Sequence, residues 1–180
     1  RTTMNVKGTL IEALTSSYIF CDYERAFNET TGLPMTLRPV EWWQLPLHGR
    51  PKENAFCALM AGQSRTCAAC LQTQEQLCRG AKERAQNITC NYGLSEIAVP
   101  VRLGTETIGF LQTGQVFRQP PTGAKFQRAA RKLEKLGVRL DRAQLKHAFF
   151  ASAVVTPKKL ESITQLLTIF AGHLSLLSNQ

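Results

Sequence analysis

Two runs of alternating apolar and polar residues, separated by a short turn, restrict the fold of this chain more than any other feature. The runs are Leu94–Leu103 and Thr107–Phe117, and Gly104 stands at the turn between them. Alternation is typical of strands with one buried face, and a glycine-containing turn between two such runs predicts a β-hairpin. A chain with this hairpin must contain an antiparallel sheet.

The alternation also assigns residues to the two faces of each strand, because successive side chains point to opposite sides. On the first strand the two predicted sets are Leu94, Glu96 and Ala98 against Ser95, Ile97 and Val99. On the second strand they are Phe110, Gln112, Gly114 and Val116 against Leu111, Thr113, Gln115 and Phe117.

Helical periodicity is found on both sides of the hairpin. Apolar residues recur at spacings of three and four over residues 6–31, and a short strand with prolines, over residues 34–40, is predicted at a sheet edge. The further predicted helices begin at Asn54, cover Ser64–Gln86, end at Gly137, begin at Asp141 and begin at Thr156. This order predicts an α+β fold, in which N- and C-terminal helices flank a short antiparallel sheet.

Length and composition are typical of one globular domain. The chain has 180 residues, of which 43% are hydrophobic, and that is enough for a substantial core. No run of about 18 apolar residues occurs, so no membrane span is expected, and the first residues lack the apolar segment of a signal peptide. Since such a core needs no disulfides, we interpret the chain as a cytoplasmic protein with reduced thiols.

Positive charge is concentrated in one part of the chain. Residues 118–159 contain eleven basic and two acidic residues, so this window carries the whole formal net charge of +9. A basic stripe can bind nucleic acid, but a solvated helix face has the same composition, and we favour that interpretation. No DNA-binding motif is visible.

The six cysteines permit two interpretations. Cys67 and Cys70 are one helical turn apart and supply half of a zinc site, which Cys57, His48 or Cys90 would complete. Alternatively, the cysteines are small buried side chains at helix packing positions. Both interpretations stay open at this point.

Catalytic motifs are absent from the sequence. The histidines, His48, His147 and His173, have no carboxylate at a useful spacing. The chain has no Gly-x-Ser-x-Gly elbow, no phosphate-binding glycine loop and no His-Glu-x-x-His motif. The sequence therefore predicts a protein without catalytic activity.

Five segments, taken together, resemble one family. They are GLPMTL, FCALM, RTCAACL, CNYGLSEIAVPV and IGFLQTGQVF, which lie between Phe27 and Phe117. This succession is similar to the PocR sensory domain, a ligand-binding variant of the PAS-like fold. Its marks are Cys57 in one helix, Cys67 at the start of the next and Cys90 before an aromatic-Gly-Leu turn. The chain departs from the family's usual turn, which is close to His-Ala-Gly-Leu.

The resemblance implies a sensor of small organic molecules, propanediol-like in the best-known case. Such domains commonly precede an AraC-type helix-turn-helix output domain, so this chain would be the sensory part of a transcription regulator and would meet DNA only through that missing domain. The implied division is residues 1–31 for N-terminal helices, 32–117 for the PAS-like ligand-binding core and 118–180 for C-terminal helices leading to the output domain.

The resemblance and the hairpin pattern together predict a ligand site without metal or cofactor. Its predicted residues are Trp42, Cys57, Cys67, Cys90, Gln115 and Phe117. The alternative is a metal- or redox-sensing site that holds zinc or an iron–sulfur cluster. Its predicted ligands are Cys57, Cys67, Cys70 and Cys90.

The C-terminal helix carries more large apolar residues than one packed face needs. The stripe predicted to face the core consists of Leu160, Ile163, Leu167, Phe170, Leu174 and Leu177. Leu166, Ile169 and Leu176 fall outside this stripe. Either a second copy of the chain covers them in a homodimer, or an N-terminal helix of the same chain does.

Overall fold

The computed structural model describes residues 2–179, with side chains from Val6 onward. Within this part of the chain there are seven helices and four strands. The helices are α1 (Thr2–Thr15), α2 (Tyr18–Thr31), α3 (Ala55–Ala61), α4 (Ser64–Gly80), α5 (Gly123–Lys135), α6 (Arg142–Phe150) and α7 (Pro157–Ser178). The strands are β1 (Met35–Pro39), β2 (Gln86–Thr89), β3 (Ser95–Leu103) and β4 (Glu106–Val116).

The four strands form one antiparallel sheet in the order β1-β4-β3-β2. The predicted hairpin is the β3–β4 pair at its centre, and the predicted proline-containing strand is β1 at one edge. Proline is tolerated there because an edge strand has one side free of ladder hydrogen bonds. The α+β prediction, with helices flanking a short antiparallel sheet, is confirmed.

Polar side chains start the helices at the places where the sequence predicts caps. Asn54 Oδ1 accepts a hydrogen bond from Cys57 N at the start of α3. Asp141 and Thr156 do the same for α6 and α7. Each cap satisfies a backbone N–H that has no partner inside the helix, and so fixes where the helix begins.

Helices cover both faces of the sheet and one end of it. On one face, α7 packs on β3, α1 on β1 and β4, and α2 on β1, in a cluster that includes Phe27, Val99 and Leu167. On the other face, α4 packs Leu77 against Phe110. A third cluster joins α3, α5 and α6 at the end of the hairpin. Helices from residues 1–31 and 118–180 therefore share the core with the sheet, while the three-part division itself stays a prediction.

The predicted end of α4 is wrong. The sequence predicts a helix over Ser64–Gln86, but α4 ends at Gly80 and residues 86–89 form the edge strand β2. Glycine is a poor helix former because it has more backbone freedom to lose. The strand was missed because it is four residues long and contains one large apolar side chain, Ile88, which is too little for a strand pattern.

The predicted faces of β4 are wrong after Gly114. Phe110 and Leu111 face opposite sides as expected, but Val116 packs in the same cluster as Leu111 instead of with Phe110. Ser95 pairs with Val116 and Glu96 pairs with Gly114, so Gln115 is an extra residue on β4. A bulge of this kind shifts the alternation by one residue.

Helix α7 buries the predicted stripe except at its end. Leu160, Leu167 and Leu174 are among the residues of the stripe that are buried, but Leu177 is exposed, contrary to the prediction. By length and composition alone, α7 is also the one helix of the described residues that could cross a membrane. That is weak evidence for a span, because a core helix with one face packed on a sheet has the same properties.

Candidate functional site

A cavity of about 60 Å³ lies where α3 and α4 meet the end of the β3–β4 hairpin. This is room for roughly four to six water-sized groups. Its lining combines apolar side chains, thiols and a few polar groups, and comprises Leu45, Pro46, Leu47, His48, Glu53, Cys57, Ala69, Cys70, Thr73, Gln74, Cys90, Asn91, Tyr92, Leu94, Glu96 and Gln115. An apolar wall with few polar groups is typical of a small-molecule site.

The bulge in β4 shapes the sheet side of this cavity. Gly114 has φ 134° and Gln115 has φ 62°, a region that residues other than glycine rarely adopt. A Cβ on Gly114 would lie 2.5 Å from Glu96 Cα and 2.6 Å from Ser95 O, so only glycine fits against β3 here. The bulge brings both Glu96 and Gln115 to the cavity.

Two buried hydrogen bonds hold the bulge against the start of α3. Asn54 N donates to Gln115 Oε1 at 2.8 Å, and Asn54 Nδ2 donates to Gln115 O at 3.0 Å. Buried hydrogen bonds of this kind contribute about 1 kcal/mol each, which offsets a backbone strain of similar size at Gln115. The helix that carries Cys57 is thereby tied to the strand that carries Gln115.

The loop that precedes α3 contributes part of the cavity lining. Leu45, Leu47 and His48 reach the cavity from this loop. His48 Nδ1 lies 2.8 Å from Glu53 Oε2, and Gly49 N donates to Glu53 Oε1 at 3.1 Å. Glu53 therefore holds His48 and Gly49 of this loop beside the start of α3.

Three cysteines from three different elements line the cavity. Cys57 lies on α3, Cys70 on α4 and Cys90 in the turn between β2 and β3. Burial raises the pKa of the Cys57 and Cys90 thiols, and it raises the pKa of Cys70 to about 12. The nearby Glu96 carboxyl group raises the pKa of all three thiols further. The thiols are therefore protonated at neutral pH, whereas metal binding and nucleophilic chemistry require the thiolate.

Glu96 is the most perturbed carboxyl group of the cavity. Burial raises the pKa of its carboxyl from 4.5 to about 7, and a hydrogen bond from Gln74 Nε2 to Glu96 Oε2 opposes this shift. Gln74 Oε1 accepts in turn from Gln112 Nε2 at 2.7 Å. No Lys or Arg among the described residues lines the cavity. Its electrostatic character therefore favours neutral ligands that donate hydrogen bonds over anionic ones.

The structure brings three of the six predicted ligand residues to this cavity and places the other three elsewhere. Cys57, Cys90 and Gln115 line it. Cys67 lies one turn from Cys70 but does not line the cavity. Trp42 is 41% exposed beside an outer groove, and Phe117 packs in the cluster of α5 and α6.

Sequence reasoning missed Cys70, Glu96 and the loop around Leu47. The sequence does contain a signal for Glu96, because it is the one charged residue in the first half of a mainly apolar strand. The sequence predicts Cys70 as a buried packing residue or a metal ligand, and not as part of a ligand site. The loop has no periodicity, so nothing in the sequence placed it at the cavity.

A comparison with protein families identifies the family of this chain. The family described as "Sensory domain found in PocR" matches residues 18–179, which is nearly the whole chain. This chain belongs to the PocR sensory-domain family. The resemblance seen in the five segments is thereby confirmed, and a sensory role is established at the level of the family. No curated protein and no solved structure matches the chain.

The metal alternative is not favoured. Within residues 2–179, no three His, Cys, Asp or Glu side chains come close enough together to hold a metal ion. Cys67, one of the four predicted ligands, does not line the cavity that contains the other three.

Proposed function

We propose that this PocR domain senses a small, neutral organic molecule with hydroxyl groups, bound in the cavity between α3, α4 and the hairpin. The observation that carries the proposal is the combination of an apolar wall with the Glu96 carboxyl group. A ligand hydroxyl that donates to Glu96 replaces the water that burial removes, and hydrogen bonds to charged groups contribute about 1.5–3 kcal/mol.

The size of the cavity supports a ligand of a few non-hydrogen atoms. A volume of about 60 Å³ accommodates a short diol and excludes a long chain. The three neutral thiols present polarizable, weakly polar surface to the carbon atoms of such a ligand. In this proposal Cys57, Cys70 and Cys90 contact the ligand without forming bonds to it, and the domain has no catalytic activity.

The end of β4 offers a route from the ligand to α7. Gln115, in the cavity, is two residues from Phe117, whose N–H donates to Ala153 O at 2.9 Å. Val155 N donates to Phe117 O at 2.8 Å, and α7 begins at Pro157. A ligand that changes the position of the bulge therefore acts on the segment that precedes α7.

In the full regulator, α7 would lead to a DNA-binding output domain of the AraC type, in the cytoplasm. Leu166 and Ile169 are 43% and 53% exposed, and Leu176 is 66% exposed. These side chains would form the contact of a homodimer, which suits a regulator that binds a pseudo-palindromic site.

A size series of ligands tests the sensory proposal. Short 1,2-diols, with 1,2-propanediol as the reference, should raise the melting temperature of the domain because they bind the folded state alone. Long-chain 1,2-diols should have no effect because the cavity cannot hold them. The proposal is wrong if no short diol binds, or if long and short diols bind equally well.

A further inference from the structure

A second concave region lies beside α4, separate from the cavity. It is a groove of about 400 Å³ between α4 and the segment that follows β1, and its lining includes Arg38, Trp42, Trp43, Gln74 and Phe110. Gln74 is the one residue that lines both the groove and the cavity. The two spaces are therefore neighbours that share Gln74 in their linings.

Arg38 is a buried cation in this groove that has no anionic partner among the described residues. Arg38 is only 5% exposed. Nε donates to Pro39 O at 3.0 Å and Nη2 donates to Val40 O at 2.8 Å, so the hydrogen bonds of the guanidinium go to neutral groups. The neutral Cys78 thiol is its other polar neighbour. Buried arginines are normally paired with a carboxylate.

Apart from Arg38, the charges that line the groove balance, two basic against two acidic residues, and the groove is partly aromatic. Arg79 and Lys82 also line it, as do Glu41 and Glu75, and Glu75 is already paired with Arg79 at 2.6 Å. The Phe110 ring lies under the guanidinium, with 5.6 Å between Arg38 Cζ and the ring centroid.

Two tryptophans stand at the rim of the groove with much of their surface in solvent. Trp42 is 41% exposed and Trp43 is 86% exposed. Exposed tryptophans next to a polar anchor are common at binding sites, because each presents a large apolar surface at low entropic cost.

We propose that this groove binds a small organic carboxylate with a flat apolar body. The carboxylate pairs with the Arg38 guanidinium, and the body of the ligand lies against Trp42 and Trp43. The ligand supplies the negative charge that the protein does not place beside Arg38, and a guanidinium is suited to bind a carboxylate with two parallel hydrogen bonds. This second site differs from the cavity, where the Glu96 carboxyl group disfavours anions.

Ligand binding in the groove can be followed by tryptophan fluorescence, because Trp42 and Trp43 are the only two tryptophans in the chain. Their fluorescence should change saturably when the domain is titrated with phenylacetate. The neutral isostere phenylacetamide should bind roughly tenfold or more weakly, since it lacks the charge that pairs with Arg38. The proposal is overturned if phenylacetate gives no saturable change, or if the two compounds bind equally.

Three variants distinguish binding in the groove from a general effect of the protein's positive charge. Arg38→Met should weaken phenylacetate binding to the level of phenylacetamide. Because Arg38 is buried and this variant can fail to fold, Trp43→Phe is the second variant: it keeps Trp42 as reporter, alters an exposed side chain and should weaken binding severalfold. Arg25→Gln removes one exposed positive charge on α2 and should leave binding unchanged. Unchanged binding in Trp43→Phe, or equal losses in Trp43→Phe and Arg25→Gln, overturns the proposal.

Discussion

At the scale of single residues, the Glu96 carboxyl group controls the electrostatics of the cavity. The folded state binds its proton more tightly than the unfolded state does, because the pKa is raised from 4.5 to about 7. The free energy of unfolding therefore decreases as the pH rises from the lower to the higher of these values, and this contribution stays constant above it. This loss of stability arises because the folded protein buries a carboxylate whose one hydrogen-bond donor among the described residues is Gln74.

Glu96→Gln should remove this pH dependence, since the amide is neutral at every pH. We expect the variant to gain stability relative to the wild type by about 1–3 kcal/mol between about pH 5 and about pH 8. Urea unfolding at both pH values measures this gain. The exposed Glu83 provides the control, and Glu83→Gln should show no comparable gain. A difference between Glu96→Gln and wild type that does not change with pH contradicts the assignment of the raised pKa.

At the scale of elements, the bulge in β4 is what places the polar groups of the site. Gly114→Ala puts a methyl group against the β3 backbone at a φ of 134°, and should destabilise the domain by about 2–4 kcal/mol. Gly172, in α7, is the matched control, because a Cβ there meets open space. Gly172→Ala should instead stabilise by about 0.5–1 kcal/mol. Thermal or urea unfolding of both variants checks the two opposite signs, and equal effects would contradict the packing described for the bulge.

Some of these elements could be predicted from the sequence alone and others could not. Helices and the β3–β4 hairpin were predictable because their periodicity and their caps, such as Asn54 and Thr156, are local. The side of the sheet on which Val116 lies could not be predicted. It depends on the extra residue Gln115, and the pairing between β3 and β4 determines where that residue is inserted. Cys70, and not Cys67, reaches the cavity because of the way α4 is rotated on the sheet, and the helical pattern alone does not fix that rotation.

At the scale of the whole molecule, the exposed side of α7 determines whether the domain associates. Helix α2 covers part of α7, since the Tyr23 ring stacks on Phe170 and Tyr23 Oη donates to Leu166 O at 3.2 Å. Leu166 and Ile169 nevertheless stay exposed. An intramolecular helix therefore covers α7 only in part, and this leaves room for the homodimer proposed above.

Light scattering at tens of micromolar protein tests this association. We expect a dimer for the wild type and a monomer when Leu166 and Ile169 are both replaced by Gln, because the replacement removes the apolar contact. Trp43→Ser removes a side chain that is 86% exposed and lies outside α7, and it should leave the mass unchanged. A monomeric wild type, unaffected by either change, would remove the homodimer from the account.

The central claim, that the cavity beside Cys57, Cys70 and Cys90 is the sensory site, is tested most directly by blocking it. Ala69 lines the cavity, whereas its neighbour Ala68 on α4 is exposed. We expect calorimetric titration with 1,2-propanediol to show binding to wild type and to Ala68→Leu, and at least tenfold weaker binding to Ala69→Leu, whose added side chain occupies the space of the ligand. Equal binding to the two variants, or no binding to wild type, would contradict the account.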